Sequence, residues 1–187
     1  STPVPVGSPE PKASAFDYVS SDFDGLADYT SFVNTYAERD EVVYVAANDG
    51  LLHAFDAETG EEIFAYLPGS LLSATGDASL ARYAHPEYGV YDEVDGSQPI
   101  PHQYYNDGEL TTENVFIDGA WKTILVGTTG RGPARTIYAL DVTDPEVLAD
   151  PDNAEAAVLW ERSASDGGDY EWIGQVLGRP TIWQVPD

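Results

Sequence analysis

The sequence predicts an all-β fold, a partial β-propeller of about two blade equivalents of antiparallel meander strands with long acidic loop insertions. Three observations predict it. Val42–Tyr66, VVYVAANDGLLHAFDAETGEEIFAY, reads as three consecutive antiparallel strands joined by turns at Asn48-Asp49-Gly50 and around Glu58-Thr59-Gly60. Trp121–Glu161 repeats that grammar as WKTILVG, a Gly-rich turn, RTIYALDV, a long insertion and AVLWE. The strand ends Ala54-Phe55-Asp56 and Ala139-Leu140-Asp141 mark the same point in each unit.

Residues 1–15 are rich in Pro, Ser and small residues, as a linker or edge segment is. Tyr29, Phe32, Val33 and Tyr36 recur at helical intervals, so residues 1–41 are read as a linker/edge segment carrying a short helix. Residues 42–187 are read as the incomplete propeller. Val42–Ala47 has the apolar, β-branched character of a fully buried strand. Asn48-Asp49-Gly50 is a strong hairpin signal for a type I′ turn, which needs positive φ at both central residues. Leu51–Asp56 and Ile63–Leu67 complete the blade at 42–67. An insertion follows at 68–113, with helical turns within Ser70–Ala84 and a protruding surface loop at Gln98–Asn114. Val115–Gly119 opens a four-strand blade at 114–162, and Ile117-Asp118-Gly119-Ala120-Trp121 has the chemistry of a tight hairpin. An acidic loop at 143–156 separates its last two strands. Residues 178–185 read as the first strand of a further blade. A four-stranded blade takes about 40–45 residues, and the large insertions account for the wide spacing of Asp56 and Asp141. The count is the last three strands of one blade, one entire blade and one strand of a third, so the ring does not close within this chain.

Composition narrows the function classes. The 187 residues include 33 acidic and 8 basic side chains, a formal net charge of −25, with 42% hydrophobic content that supports a folded core. Such a surface repels nucleic acid and anionic lipid, because phosphate binding needs Lys/Arg clusters. Absence of Cys excludes disulfides and thiolate metal centres. No apolar run reaches the roughly 18 residues that span a bilayer, so no membrane insertion is expected. Ser1-Thr-Pro-Val-Pro-Val has neither an initiator Met nor a signal pattern, as expected of a mature or excised piece of a longer protein.

The chemistry candidates are few. Ser20–Asp28 places Asp22, Asp24 and Asp28 in a pattern faintly like a calcium loop. Calcium takes about six to eight oxygens, however, and the closing position is Ser31, so an acidic loop before a helix is the stronger reading. His53, His85 and His102 lack metal-ligand spacing, and His53 is expected to be packed and hydrogen-bonded in its strand. No nucleophile elbow, zincin motif or phosphate loop is present. Asp56 and Asp141 are expected to satisfy turn amides. Trp121 and Trp160 sit in strand patterns and are expected to pack between blades. Tyr104, Tyr105 and Trp172 lie in polar loops and are the candidates for exposed surface contact.

As an ordered set, the motifs resemble the PilC/PilY β-propeller domain of type IV pilus-tip proteins. The set runs VVYVAANDGLLHAFDAETGEEIFAYLP, then Tyr83, His85 and Tyr88 before Val94-Asp95-Gly96, then DGAWKTILVG at 118–127. It continues with IYALDVTDP at 137–145, VLWE at 158–161 and Gly178 with Pro180-Thr181-Ile182. The resemblance implies a seven-bladed propeller on a large secreted protein, exported through the periplasm to the cell surface or pilus tip. It implies a non-catalytic role in pilus assembly and adhesion, with pilins or minor pilins, other blades or further copies of the protein as partners. The turn Thr128–Arg135 departs from the family's glycine-rich one, and the loop at 98–114 is longer. The family's calcium loop belongs to a later blade, so calcium is expected elsewhere in the full-length protein and no cofactor in this chain. The alternative is a fragment of a quinoprotein dehydrogenase, whose blades share the A-x-D-G-x-L-x-A-x-D pattern and hold pyrroloquinoline quinone.

Overall fold

The computed structural model describes residues 1–11 and 26–183. Two four-stranded antiparallel sheets form its body, with strands in sequence order in each. The first comprises β1 (Val4–Val6), β2 (Val42–Ala46), β3 (Leu52–Asp56) and β4 (Glu62–Tyr66). The second comprises β5 (Thr111–Ile117), β6 (Ala120–Thr128), β7 (Thr136–Asp141) and β8 (Val158–Ser163). Helix α1 (Leu26–Thr35) joins β1 to β2, α2 (Gly69–Leu72) follows β4, and α3 (Pro145–Ala149) lies between β7 and β8. No helix among the described residues is long and apolar enough to cross a membrane.

The first sheet therefore has four strands where the sequence reading counts three. Val4-Pro5-Val6 is too short to show periodicity, yet it pairs with Val42–Tyr44 along the edge of β2. Proline suits that edge, since an edge strand has one side free of ladder bonds. At the other end of the chain, residues 178–183, the described part of the strand expected at 178–185, form no ladder. Their polar contacts run instead to the second sheet's inner edge, where Thr111 Oγ1 donates to Pro180 O and Arg179 Nε donates to Leu110 O.

Turn chemistry also differs from expectation. In the β2–β3 turn only Gly50 has positive φ (101°), with Gly50 N donating to Ala47 O and Ala47 N to Leu51 O. That is a three-residue loop closed by a glycine bulge rather than a type I′ turn. The type I′ geometry appears between β5 and β6, where Asp118 and Gly119 have φ of 53° and 78°. Asp56 and Asp141 act as read from sequence: Asp56 Oδ1 accepts from Glu58 N and Thr59 N, and Asp141 Oδ1 accepts from Thr143 N.

Strand alternation divides each sheet into an inner and an outer face. Val42, Tyr44 and Ala46 are buried while Val43 and Val45 are half-buried, so β2 is covered fully on one side only. The inner faces of both sheets pack into one core, which joins Tyr44, Leu52, Ala54 and Tyr66 to Leu125, Tyr138, Leu140 and Val142. Full burial of each large apolar side chain contributes about 1.5–3 kcal/mol. The edge strands β1 and β5 meet directly, whereas farther out α3 packs on β4 and drives Leu148 into the same core. The pair is thus a wedge, narrow at β1/β5 and filled by a helix at its wide side.

Polar side chains span the wedge, Arg39 and Glu161 among them. Arg39 donates from Nε to Gly7 O (2.8 Å) and from one terminal nitrogen to Thr123 Oγ1 (2.9 Å) and Thr143 O (3.0 Å). Desolvation lowers its pKa, a cost offset by those hydrogen bonds. Glu161 of β8 accepts from Tyr66 OH (2.5 Å), Gly69 N (2.8 Å) and Ser70 N (2.9 Å) of the first unit. Pro68 supplies no side-chain cap to α2, so a carboxylate from the other sheet does so. Burial first, and then Glu161, push the Tyr66 pKa up, so the phenol keeps the proton it donates.

Neither Trp121 nor Trp160 packs between these two sheets. Trp121 is buried against α1, with its ring 4.6 Å from Tyr29 and 5.7 Å from Phe116, and Phe32 completes the cluster. Trp160 pairs with Ala139 on the face turned away from the first sheet and is 39% exposed.

Two substitutions test the wedge. Gly127 pairs with Tyr138, and a Cβ there would stand 2.4 Å from Tyr138 Cζ. Gly127→Ala is expected to lower stability by about 1–3 kcal/mol through overpacking, read as a lower urea midpoint. Glu161→Ala leaves two amides and a phenol without their acceptor and is expected to cost about 1–3 kcal/mol. Hydrogen exchange at Gly69 and Ser70 should rise more than exchange within β2.

Candidate functional site

Leu52 pairs with Tyr66 and Thr111 with Val126, so β4 leaves and β5 enters at the end of the sheets that carries the β2–β3 and β6–β7 turns. The insertion between β4 and β5 therefore lies across both turns. Two asparagines stitch it down. Asn48 Oδ1 accepts from Tyr105 N (3.0 Å), and its Nδ2 donates to Gln103 O (2.9 Å) and meets His102 Nε2 at 2.7 Å. Asn106 is buried, and its Nδ2 donates to Gly50 O (3.3 Å) while its Oδ1 accepts from Tyr138 OH (3.4 Å). Asp107 Oδ1 accepts from Arg131 N (2.8 Å) in the β6–β7 turn.

A chain of rings covers this junction. Tyr105 lies 5.1 Å from Tyr83, Tyr83 4.7 Å from Tyr88, Tyr88 5.9 Å from His102, and His102 5.2 Å from Tyr104. The Arg131 guanidinium sits 5.2 Å above the Tyr104 ring, a cation–π contact. Tyr83 OH donates to Asn48 O, and burial pushes its pKa up, so it remains a donor. The assembly offers partly exposed aromatic faces held by the half-buried Asn48 and the buried Asn106, which is the chemistry of a contact surface.

The surface-contact candidates separate. Tyr104 is 43% exposed at the end of the ring chain, and Trp172 is 82% exposed in a 3-10 turn after β8, outside that chain. Tyr105 is buried, contrary to expectation, because Asn48 pulls its backbone inward and its hydroxyl donates to Ser79 O at 2.9 Å. Asp28 lies exposed in the first turn of α1, whereas Asp22 and Asp24 fall outside the described residues. Among the described residues no group of three or more His, Asp or Glu is arranged to hold a metal ion. Sequence reasoning treated Asn48 only as a turn former and passed over Asn106, Arg39 and Glu161. Their role lies in partners far along the chain, which no local pattern records.

His53 is half-buried and hydrogen-bonded, as expected. Its Nδ1 pairs with Glu62 Oε1 at 2.5 Å and its Nε2 with Asp49 Oδ2 at 3.0 Å. Partial burial pulls its pKa down, and the hydrogen bond to Glu62 together with Asp49 outweighs that, so the net shift is upward.

Comparison with known proteins places this architecture. A model of the PilY1 beta-propeller domain matches residues 1–182. The chain belongs to that family. A type IV pilus biogenesis factor PilY1 homolog of Xylella fastidiosa is 38% identical over all of this chain and 13% of its own length. The type IV pilus biogenesis factor PilY1 of Pseudomonas aeruginosa is 31% identical over 97% of the chain, again 13% of that protein. The chain thus spans about an eighth of these relatives. The crystal structure of the P. aeruginosa PilY1 C-terminal domain superposes with a TM-score of 0.54 at 30% identity, covering 82% of this chain and 24% of that one. The two sheets are part of a PilY1 propeller domain.

The His53 cluster carries a pH prediction. Because the folded-state pKa is raised, the stability it contributes is fully present below the ordinary value of 6.5 and is lost as pH rises through the folded value. The stability difference between wild type and His53→Gln should therefore be larger at about pH 5.5 than at about pH 8.5 in paired urea titrations.

Proposed function

We propose that this chain is a non-catalytic structural and adhesive part of a cell-surface protein at the type IV pilus tip, supporting pilus assembly and attachment. The observation that carries the reading is the match to the PilY1 propeller domain over residues 1–182, together with relatives named as type IV pilus biogenesis factors. Export through the periplasm and contact with pilins or minor pilins follow from the same reading. The outer faces support a larger ring. Val43, Val45 and Phe55 on one side, and Val126, Ile137 and Trp160 on the other, are apolar and only partly covered. Further blades, up to the seven of a closed propeller, would bury them. The strongly acidic surface fits a protein that stays soluble outside the cell. Calcium, where the full-length protein uses it, would act in a later blade.

The test uses the full-length protein in its own cells. Deleting the region 42–162 in frame is expected to remove surface pili and attachment together, and normal piliation would overturn the assembly role. The pair Tyr104→Ala and Trp172→Ala is expected to leave pili intact and reduce attachment. Unchanged attachment would sink the adhesive role of these residues.

A further inference from the structure

We infer that residues 88–100 form an acidic, apolar-tipped knob that docks on a separate basic protein, with Val94 entering an apolar pocket rimmed by Lys or Arg. The knob is built from hydrogen bonds rather than from a core. Gly89 N donates to Ile100 O (2.8 Å) and Asp92 N to Ser97 O (2.9 Å), which draws its two arms together. At the stem the Tyr88 hydroxyl accepts from Gln103 N (2.9 Å) and donates to Gln103 O (3.3 Å). At the tip Asp92 Oδ1 accepts from Val94 N (2.8 Å), Asp92 O from Gly96 N (2.9 Å) and Asp95 Oδ1 from Ser97 N (2.8 Å). Gly96 closes that turn with a φ of 74°, which a residue without a side chain adopts freely. Below the stem, Tyr83 packs on Tyr88 and donates to Asn48 O, so the knob is tied to the β2–β3 turn. A loop held in one shape loses little further freedom when it binds.

Its surface carries two signals at once. Every residue from Gly89 to Pro99 is exposed, and the apolar ones are no exception. Val94 is 96% exposed, Tyr91 59% and Val90 49%. Single exposed apolar side chains are ordinary, but three within five residues of a protruding turn are the pattern of an anchor. Around them stand the carboxylates of Glu87, Asp92, Glu93 and Asp95, and residues 83–104 contain no Lys or Arg. Among the described residues, none of these four carboxylates is in an ion pair.

Charge complementarity selects the occupant. The four carboxylates repel an anionic lipid surface, and a second copy brings the same net charge of −25. Further blades of the same protein would pack on the faces of the sheets, whereas the insertion that bears the knob crosses their end. A basic protein surface answers both signals. Its pocket takes Val94 and Tyr91 out of water, while cations on the rim pair with the acids, speed encounter and fix orientation. Any partner with that chemistry fits, whether or not it belongs to a pilus.

The experiment places a photo-crosslinker at the tip of the full-length protein in its own cells. Val94→p-benzoylphenylalanine is expected to give, on irradiation, an adduct with a different polypeptide whose crosslinked peptide carries Lys or Arg beside apolar residues. Asp92→Asn, Glu93→Gln and Asp95→Asn together keep the acceptors of the tip and remove three charges. Adduct yield should then fall about tenfold. Salt at about 0.5 M, with the three carboxylates in place, should lower it similarly without touching the shape of the tip. No adduct, an adduct only within the chain, with a second copy or with lipid, or a yield indifferent to both charge and salt would overturn the docking role.

Discussion

Everything else in this structure depends on the seam between the two sheets. Each sheet has two apolar-leaning faces, and neither is stable with both in water. The seam buries one face of each, and the tapered gap is filled at its wide side by Leu148 of α3 rather than by longer strand side chains. Polar groups caught at the margin are answered across the gap: Arg39 serves carbonyl and hydroxyl acceptors, and Glu161 serves amides. Replacing either partner leaves a desolvated group without its complement, so the seam specifies a single docking angle as well as providing stability.

The aromatic end of the molecule inherits its geometry from that seam. The insertion touches the β2–β3 turn through Asn48 and Gly50 and the β6–β7 turn through Arg131. Were the sheets to rotate relative to one another, these anchor points would separate and the ring chain from Tyr105 to Tyr104 would break. The exposed faces of Tyr83 and Tyr104 are therefore presented on a base fixed by both sheets.

Period and turn chemistry made the strands β2 to β8 and helix α1 legible, because alternation and the Tyr29/Phe32/Tyr36 spacing are local properties. Three things were hidden. Strand β1 has three residues and a proline, and its pairing is decided by the open edge of β2. The Asn48 turn took a glycine bulge in place of a type I′ turn, because the Asn48 side chain is committed to the insertion rather than to its own backbone. Tyr105 looked exposed because its neighbours are polar, yet one of them, Asn106, is itself buried and satisfied. The aromatic end was thus half legible. Tyr104 and Trp172 read correctly as exposed, while the amides that position the surface carry no pattern of their own.

The cap that Glu161 places on α2 has a consequence for the order of assembly. The amides of Gly69 and Ser70 find their acceptor 92 and 91 residues later in the chain. As the polypeptide emerges, the β2–β3 and β3–β4 hairpins close from local contacts, but the first amides of the helix that opens the insertion have no side-chain acceptor until β8 has been made. Such distant closure is entropically late. The start of the insertion is accordingly capped late, by the last strand of the second sheet.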